Sequence, residues 1–216
     1  MGPYMSASFA TCVLLTAWSS TTRGHVYQST DGFVAGCGIQ YEPGQELKRV
    51  VDPRIQTIFR RLLARFGITE PVLLCADIPL GERNFAETVR RSDGRAVISI
   101  SNALLEFTDA EVMGMLAHEL AHLVAGDPER PRPATRDEYL REEREADLKA
   151  AKHVGPDAMC AAVKRAYWKS VELGFESNTH ILRTYRDVRL RWLLTNDAGH
   201  AGSACTPGEM RTTRTK

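Results

Sequence analysis

The chain has 216 residues, enough for one domain with a real core and hardly enough for two. Its composition is that of an ordinary globular protein, 43% hydrophobic and 25% charged. The 28 Lys and Arg against 27 acids leave a formal net charge of +1, which gives no long-range field toward nucleic acid or anionic lipid, and no nucleic-acid partner is expected.

In chain order, residues 9–18 (FATCVLLTAW) are an apolar run too short to span a bilayer, followed by small polar residues and then Arg23 and Gly24. That order suits a signal peptide over residues 1–24, although no Lys or Arg precedes the apolar run. The alternative is a disordered leader or a start at Met5. Beyond the leader stand Cys37, Cys75, Cys160 and Cys205, an even number with no CxxC. They are compatible with two disulfides of unspecified pairing, or with buried thiols. A periplasmic or secreted location is the expectation from these features, with a cytoplasmic one as the alternative.

A helix is expected from about Leu47 to Phe66, because Ile55, Ile58, Phe59, Leu62, Leu63 and Phe66 follow one helical face and Gly67 stops it. Residues 71–76 (PVLLCA) read as a buried strand, residues 79–95 as a polar loop, and residues 96–101 (AVISIS) as a strand with one face covered. Thr108 and Glu111 form a capping box that opens a helix to about Ala125, ended by Gly126 and Pro128. After the Pro-rich residues 126–135, a charged helix begins near Arg136 and stops at Gly155-Pro156. Two more helices are expected at about 157–173 and 179–195, and a disordered tail at 197–216. The fold class is α+β, mostly helical with a small central sheet, and residues 25–196 form its one domain.

Within the capped helix stands His118-Glu119-Leu120-Ala121-His122, the HExxH pattern. Residues four apart lie one turn apart on one helix face, so both imidazoles can reach one ion. Glu119 points beside that ion, where it can take a proton from the attacking water and later give it to the leaving amine. The surrounding helix is apolar, and a buried ionisable trio without a metal would be costly there. The bland alternative is a pair of hydrogen-bonded helix histidines. A hydrolytic zinc site has three protein ligands and an open position. The charged helix offers Glu142, Glu143, Glu145 and Asp147 for the third place, although charges at helical spacing are more often a solvated face. Glu143 and Asp147 share one face and suit a ligand and a carboxylate that orients a ligand histidine, but composition alone does not choose Glu143 over its neighbours.

Glu143-Arg144-Glu145-Ala146-Asp147 after HExxH resembles the ExEAD helix of the zinc metallopeptidases that include HtpX and the CAAX prenyl proteases, within the gluzincin clan. The resemblance covers roughly residues 45–195 and implies a zincin-like fold around the HExxH helix. It implies one Zn²⁺ held by His118, His122 and Glu143, with Asp147 behind the ligands and Glu119 as the catalytic base. Residues Asn84-Phe85-Ala86, 96–101 and Leu104-Leu105 are similar to the family's loop and strand before the active-site helix. By that likeness the strand at 96–101 is the edge along which an extended peptide binds. Thr179-His180 with Arg186 is similar to the family's Thr-His-Pro and following Arg, which implies an oxyanion-polarising role for His180, although Ile181 replaces the Pro.

Residues 123–142 make a shorter insertion than many relatives carry, and the mature region has no apolar segment of transmembrane length. The expectation is therefore a small zinc-dependent endopeptidase acting on polypeptide substrates, in the manner of envelope quality-control enzymes. The alternative is a catalytically silent zincin-fold module that holds clients without cutting them.

Overall fold

The structure, a computed structural model, describes residues 33–34, 37, 40–42, 45–76, 85–91, 94–129, 133, 135–174, 179–196 and 205. The expected leader, Asn84, and the expected tail apart from Cys205 lie outside the described residues. Among the described residues five α-helices accompany a five-stranded mixed sheet and a separate two-stranded pair, so the α+β class holds.

The chain enters through four short strands, β1 (Phe33–Val34), β2 (Gln40–Glu42), β3 (Gln45–Glu46) and β4 (Lys48–Val50). The first helix, α1 (Pro53–Phe66), starts later than its periodicity predicts. Asp52 accepts a hydrogen bond from the Ile55 N–H at 2.9 Å, and Pro53 fixes the first helical φ, so the helix nucleates there. Residues 48–50 pair instead with β5 (Val72–Ala76), with Arg49 opposite Cys75.

The sheet order is β1-β4-β5-β7-β6, where β6 is Ala86–Arg90 and β7 is Ala96–Ile100. Two expectations fail here. The segment read as a polar loop contains β6, and the strand at 96–100 lies inside the sheet, parallel to β5 and antiparallel to β6. The physical reason is composition. All five residues of β7 are buried, including the small Ser99, so it tolerates cover on both faces. Glu87, Thr88 and Arg90 suit only an edge, and β6 takes it.

One face of the sheet carries Leu74, Ala76, Ile98 and Ile100 into the main core with Ile55, Phe59 and Leu62 of α1. The opposite face buries Val97 and Cys75 against Cys37 and Leu47. A Cys37–Cys75 disulfide closes that second face, with Cα atoms 6.0 Å apart.

A 3-10 turn over Asn102–Glu106 leads to α2 (Asp109–Ala125), which is buried on nearly every side. The expected capping box is present: Glu111 accepts from the Thr108 N–H at 2.7 Å, and Gly126 ends the helix at φ 74°. A second box, Thr135 with Glu138, opens α3 (Arg136–Val154). α4 (Pro156–Glu172) and α5 (Thr179–Asn196) follow. α2 packs on α1, α3 and α4, while α5 packs on α3 and α4. A Cys160–Cys205 disulfide holds Cys205 against α4, so Cys37, Cys75, Cys160 and Cys205 are all paired. Among the described residues no helix is long and apolar enough to cross a membrane.

Candidate metal centre

The HExxH residues lie in the middle of α2, where a buried helix holds them without freedom to splay. His118 and His122 present their rings from successive turns, 4.6 Å apart between centroids and nearly perpendicular. α3 runs alongside and brings Glu143 to both. Its Oε2 lies 3.4 Å from His118 Nε2 and its Oε1 3.6 Å from His122 Nε2. One donor atom from each of the three residues falls within 4.8 Å of the others, a group that could hold a metal ion.

The hydrogen bonds behind these atoms set their chemistry. Asp147 Oδ1 lies 2.9 Å from His118 Nδ1, and Asp127 Oδ2 lies 2.9 Å from His122 Nδ1. An ionised carboxylate only accepts, so each Nδ1 carries its proton and each Nε2 is turned toward the other. The two Nε2 atoms are 3.1 Å apart. Lone pairs at that distance, faced by a carboxylate, require a proton or a cation between them. Two imidazole nitrogens and a carboxylate oxygen converging in this way suit a small divalent cation.

Electrostatics in the metal-free protein agree. Burial and the Arg189 charge oppose protonation of His118, but the Glu143 and Asp147 carboxylates outweigh them and raise its pKa to about 10. Burial also opposes a charged His122, and the Glu143 and Glu119 carboxylates again prevail and raise its pKa. For Glu143, burial favours the neutral form, yet the two histidines and Arg189 hold it well below the usual carboxylate range. A proton on His118 thus occupies the place that a cation would take.

Glu119, also buried, faces the same cleft as the histidines. Thr88 of the edge strand reaches it: the Thr88 hydroxyl lies 2.8 Å from Glu119 Oε2 and 2.9 Å from the Glu119 carbonyl oxygen. Having a single proton, it donates to one of these at a time. The cleft has a volume of about 1030 Å³, with β6 along one side and Met115, Met159, Ala162 and Val163 on its apolar wall.

The structure therefore brings His118, Glu119, His122, Glu143 and Asp147 together, as the sequence leads one to expect. His180 stands in the first turn of α5, and its side chain lies outside the described residues. Arg186 does not join the site: it pairs with Asp187 at 2.7 Å and lies over the Tyr167 ring at 4.3 Å. The arginine at the cluster is Arg189, one turn further on. Its Nε and Nη2 donate to the two Asp147 oxygens at 2.7 and 2.6 Å, and its Nη1 lies 3.4 Å from Glu143 Oε2. Tyr185, four residues before it, donates to Glu143 Oε2 at 2.7 Å.

Asp127, Tyr185, Arg189 and Thr88 are absent from the sequence reading. Asp127 carried a usable signal, since a carboxylate just past the C-cap lies near the last turn of its own helix. Tyr185 and Arg189 are spaced i, i+4 on one face of α5, but nothing local says that this face meets Asp147. No family model, no curated protein and no solved structure matches this chain.

Proposed function

We propose that the protein is a zinc-dependent endopeptidase, a hydrolase of polypeptide substrates. The observation that carries this reading is the convergence of His118, His122 and Glu143 donor atoms in a cleft that Glu119 also lines. Two neutral imidazoles and one carboxylate are a donor set suited to zinc, and three protein ligands leave a position open for chemistry. The ExEAD resemblance favours a small gluzincin similar to HtpX, with the zincin-like arrangement around α2. The paired cysteines fit an oxidising compartment, which favours a periplasmic or secreted enzyme over a cytoplasmic one.

A bound zinc ion supplies Lewis acidity toward the substrate carbonyl and toward water. The remaining work falls to this chain's own residues. An extended peptide pairs with the outer side of β6 by strand addition. The ladder fixes which groups it meets. Ser101 N–H donates to the Phe85 carbonyl at 2.8 Å, so Phe85, Glu87 and Val89 bond inward to β7. The backbone groups of Ala86 and Thr88 then point outward along the cleft. Glu119 takes a proton from the attacking water as the new C–O bond forms, and returns it to the amine nitrogen as the C–N bond breaks. Thr88 holds the Glu119 carboxylate in reach of both.

The test is digestion of an unfolded protein such as casein by the zinc-loaded chain, with and without chelator. Cleavage abolished by chelator and by Glu119→Gln is the expected result, with a loss on the order of 10²-fold or more for removing the base. A Glu119→Gln variant as active as the parent overturns the reading.

A further inference from the structure

The cleft follows one face of α2. Met115, His118, Glu119 and His122 line it from successive turns, and Asp127 lines it just past the helix end. From Met115 to that end is roughly 15 Å, the length of about four or five residues of an extended strand. The metal group lies in the middle of this span, and the two ends differ in chemistry. At the Met115 end α4 packs closely on α2, where Gly114 faces Ala158 and Ala162, and Met159 and Val163 make the wall apolar. At the other end the turn Asp127–Glu129 packs on β6, and Pro133 and Arg136 continue the wall. The contacts of α3 fix that direction. Glu143 meets both histidines and Asp147, one turn on, meets His118, so α3 runs antiparallel to α2. Arg136, seven residues before Glu143, therefore lies roughly 10 Å from it along the helix, toward the end of α2.

Among the described residues, Arg136 is the one charged group on the cleft wall without a hydrogen bond or ion pair. Arg90 is held by both oxygens of Glu70, and Arg189 by both oxygens of Asp147. Asp127 faces His122, while Glu87 and Glu142 have partners of their own. Arg136 is exposed and stands at the first position of α3. The positive end of the helix dipole opposes a cation there, so the guanidinium gains nothing from its own helix. Toward the cleft the two fields add, and both favour an anion. A guanidinium keeps its charge at any working pH, and its fork of N–H donors matches a carboxylate.

We infer that Arg136 determines specificity: its guanidinium pairs with an acidic side chain of the substrate strand, on the side of the turn after α2. At about 3.3 Å per strand residue, that side chain belongs about two or three residues from the scissile bond. This rests on the peptidase reading and names the substrate class that reading leaves open, an extended segment with an acidic residue to one side of the cut.

The test starts from a casein-derived peptide cut by the zinc-loaded chain. The residues near the cut are replaced one at a time by Glu, Gln or Lys, and kcat/KM is measured for each peptide. The parent should prefer Glu at one position, on one side of the cut only. The expected preference is about threefold to fivefold over Gln, the scale of one exposed ion pair, and about tenfold or more over Lys. It should shrink at about 0.5 M salt. Arg136→Gln should abolish the preference and Arg136→Glu should turn it toward Lys. Arg141→Gln, which removes an exposed arginine of the same helix outside the cleft, should keep the parent's preference. A parent indifferent to charge at every position overturns the inference, as does a preference that survives in Arg136→Gln. A preference that Arg141→Gln weakens equally also overturns it, because the effect is then one of overall charge. If the zinc-loaded parent cuts no peptide at all, the peptidase reading itself is wrong and the role of Arg136 falls with it.

Discussion

Each histidine of the candidate metal group has its own carboxylate, but the two carboxylates are not equivalent. Asp147 is fully buried and gripped by Arg189 through both oxygens, whereas Asp127 sits in the loop after α2. Orienting acids of this kind typically account for 10- to 100-fold in metal affinity. Asp127→Asn and Asp147→Asn should therefore each weaken zinc binding by about that factor, read by chelator competition. Only Asp147→Asn should also lower the thermal midpoint of the metal-free protein strongly. It removes the carboxylate charge that the largely buried Arg189 grips through Nε and Nη2, and breaking such an ion pair costs up to about 3–5 kcal/mol. Equal midpoints for the two variants would contradict this ordering. The protons on the ligands give a second expectation. With its pKa raised to about 10, above the ordinary 6.5, a charged His118 stabilises the metal-free fold. That contribution is complete below about pH 6.5 and is lost as pH rises through about 10. Zinc needs the same Nε2, so uptake at pH 7.5 releases this proton, and affinity rises about tenfold per pH unit below 10 from it alone. Calorimetry of zinc uptake in buffers of different ionisation enthalpy counts the protons, and a count of zero would sink the assignment. At this scale the sequence displayed His118, Glu119 and His122 because helical spacing is a local property. Asp147 was visible through its one-turn distance from Glu143. Arg189 and Tyr185 were not, because their role depends on how α5 crosses α3.

Among the elements, helices with caps were legible and the sheet was not. α2 and α3 begin and end where Thr108, Gly126 and the Gly155-Pro156 pair put them. The order of strands depends on burial of both faces, and an alternating AVISIS pattern leaves that open. The exchange of β6 for β7 at the edge moves the proposed peptide-binding groups to Ala86 and Thr88. A strand-added peptide bonds through every second residue. N-methylating the amides of a cleaved peptide one at a time should raise KM at alternate positions and leave those between them nearly unchanged. Sensitivity without a period of two would mean that the substrate lies in the cleft some other way. The helix pairing behind the site makes its own demand. A Cβ at Gly114 would lie 2.3 Å from the Ala158 carbonyl oxygen and 2.8 Å from Ala162 Cβ. The first of these is backbone and cannot rotate away, so α2 and α4 must separate. Gly114→Ala should lose about 1–3 kcal/mol by chemical denaturation, despite alanine's higher helix propensity. An unchanged or raised stability would show that α4 shifts freely.

For the whole molecule, the two disulfides and the candidate metal group are held by different elements. Cys37–Cys75 closes the second face of the sheet, and Cys160–Cys205 ties Cys205 to α4. The three residues that could hold a metal, and the carboxylates behind them, all come from α2, α3 and the turn between them. The bridged residues are 38 and 45 apart in sequence, and closure entropy grows only with the logarithm of loop length. Each bridge should therefore contribute about the same, roughly 4 kcal/mol in the chain-entropy model and about 2–4 kcal/mol by common experience. For a chain of this size that is a fall on the order of 10 °C in thermal midpoint per bridge removed. Paired Cys→Ala variants test it, Cys37 with Cys75 and Cys160 with Cys205, each unfolded with and without zinc. Both pairs should lower the midpoint by similar amounts, while zinc affinity at 25 °C stays within a few-fold of the parent. If either pair instead lost zinc binding while still folded, the site would depend on that bridge to hold α2 and α3 together, and the separation of roles would be wrong.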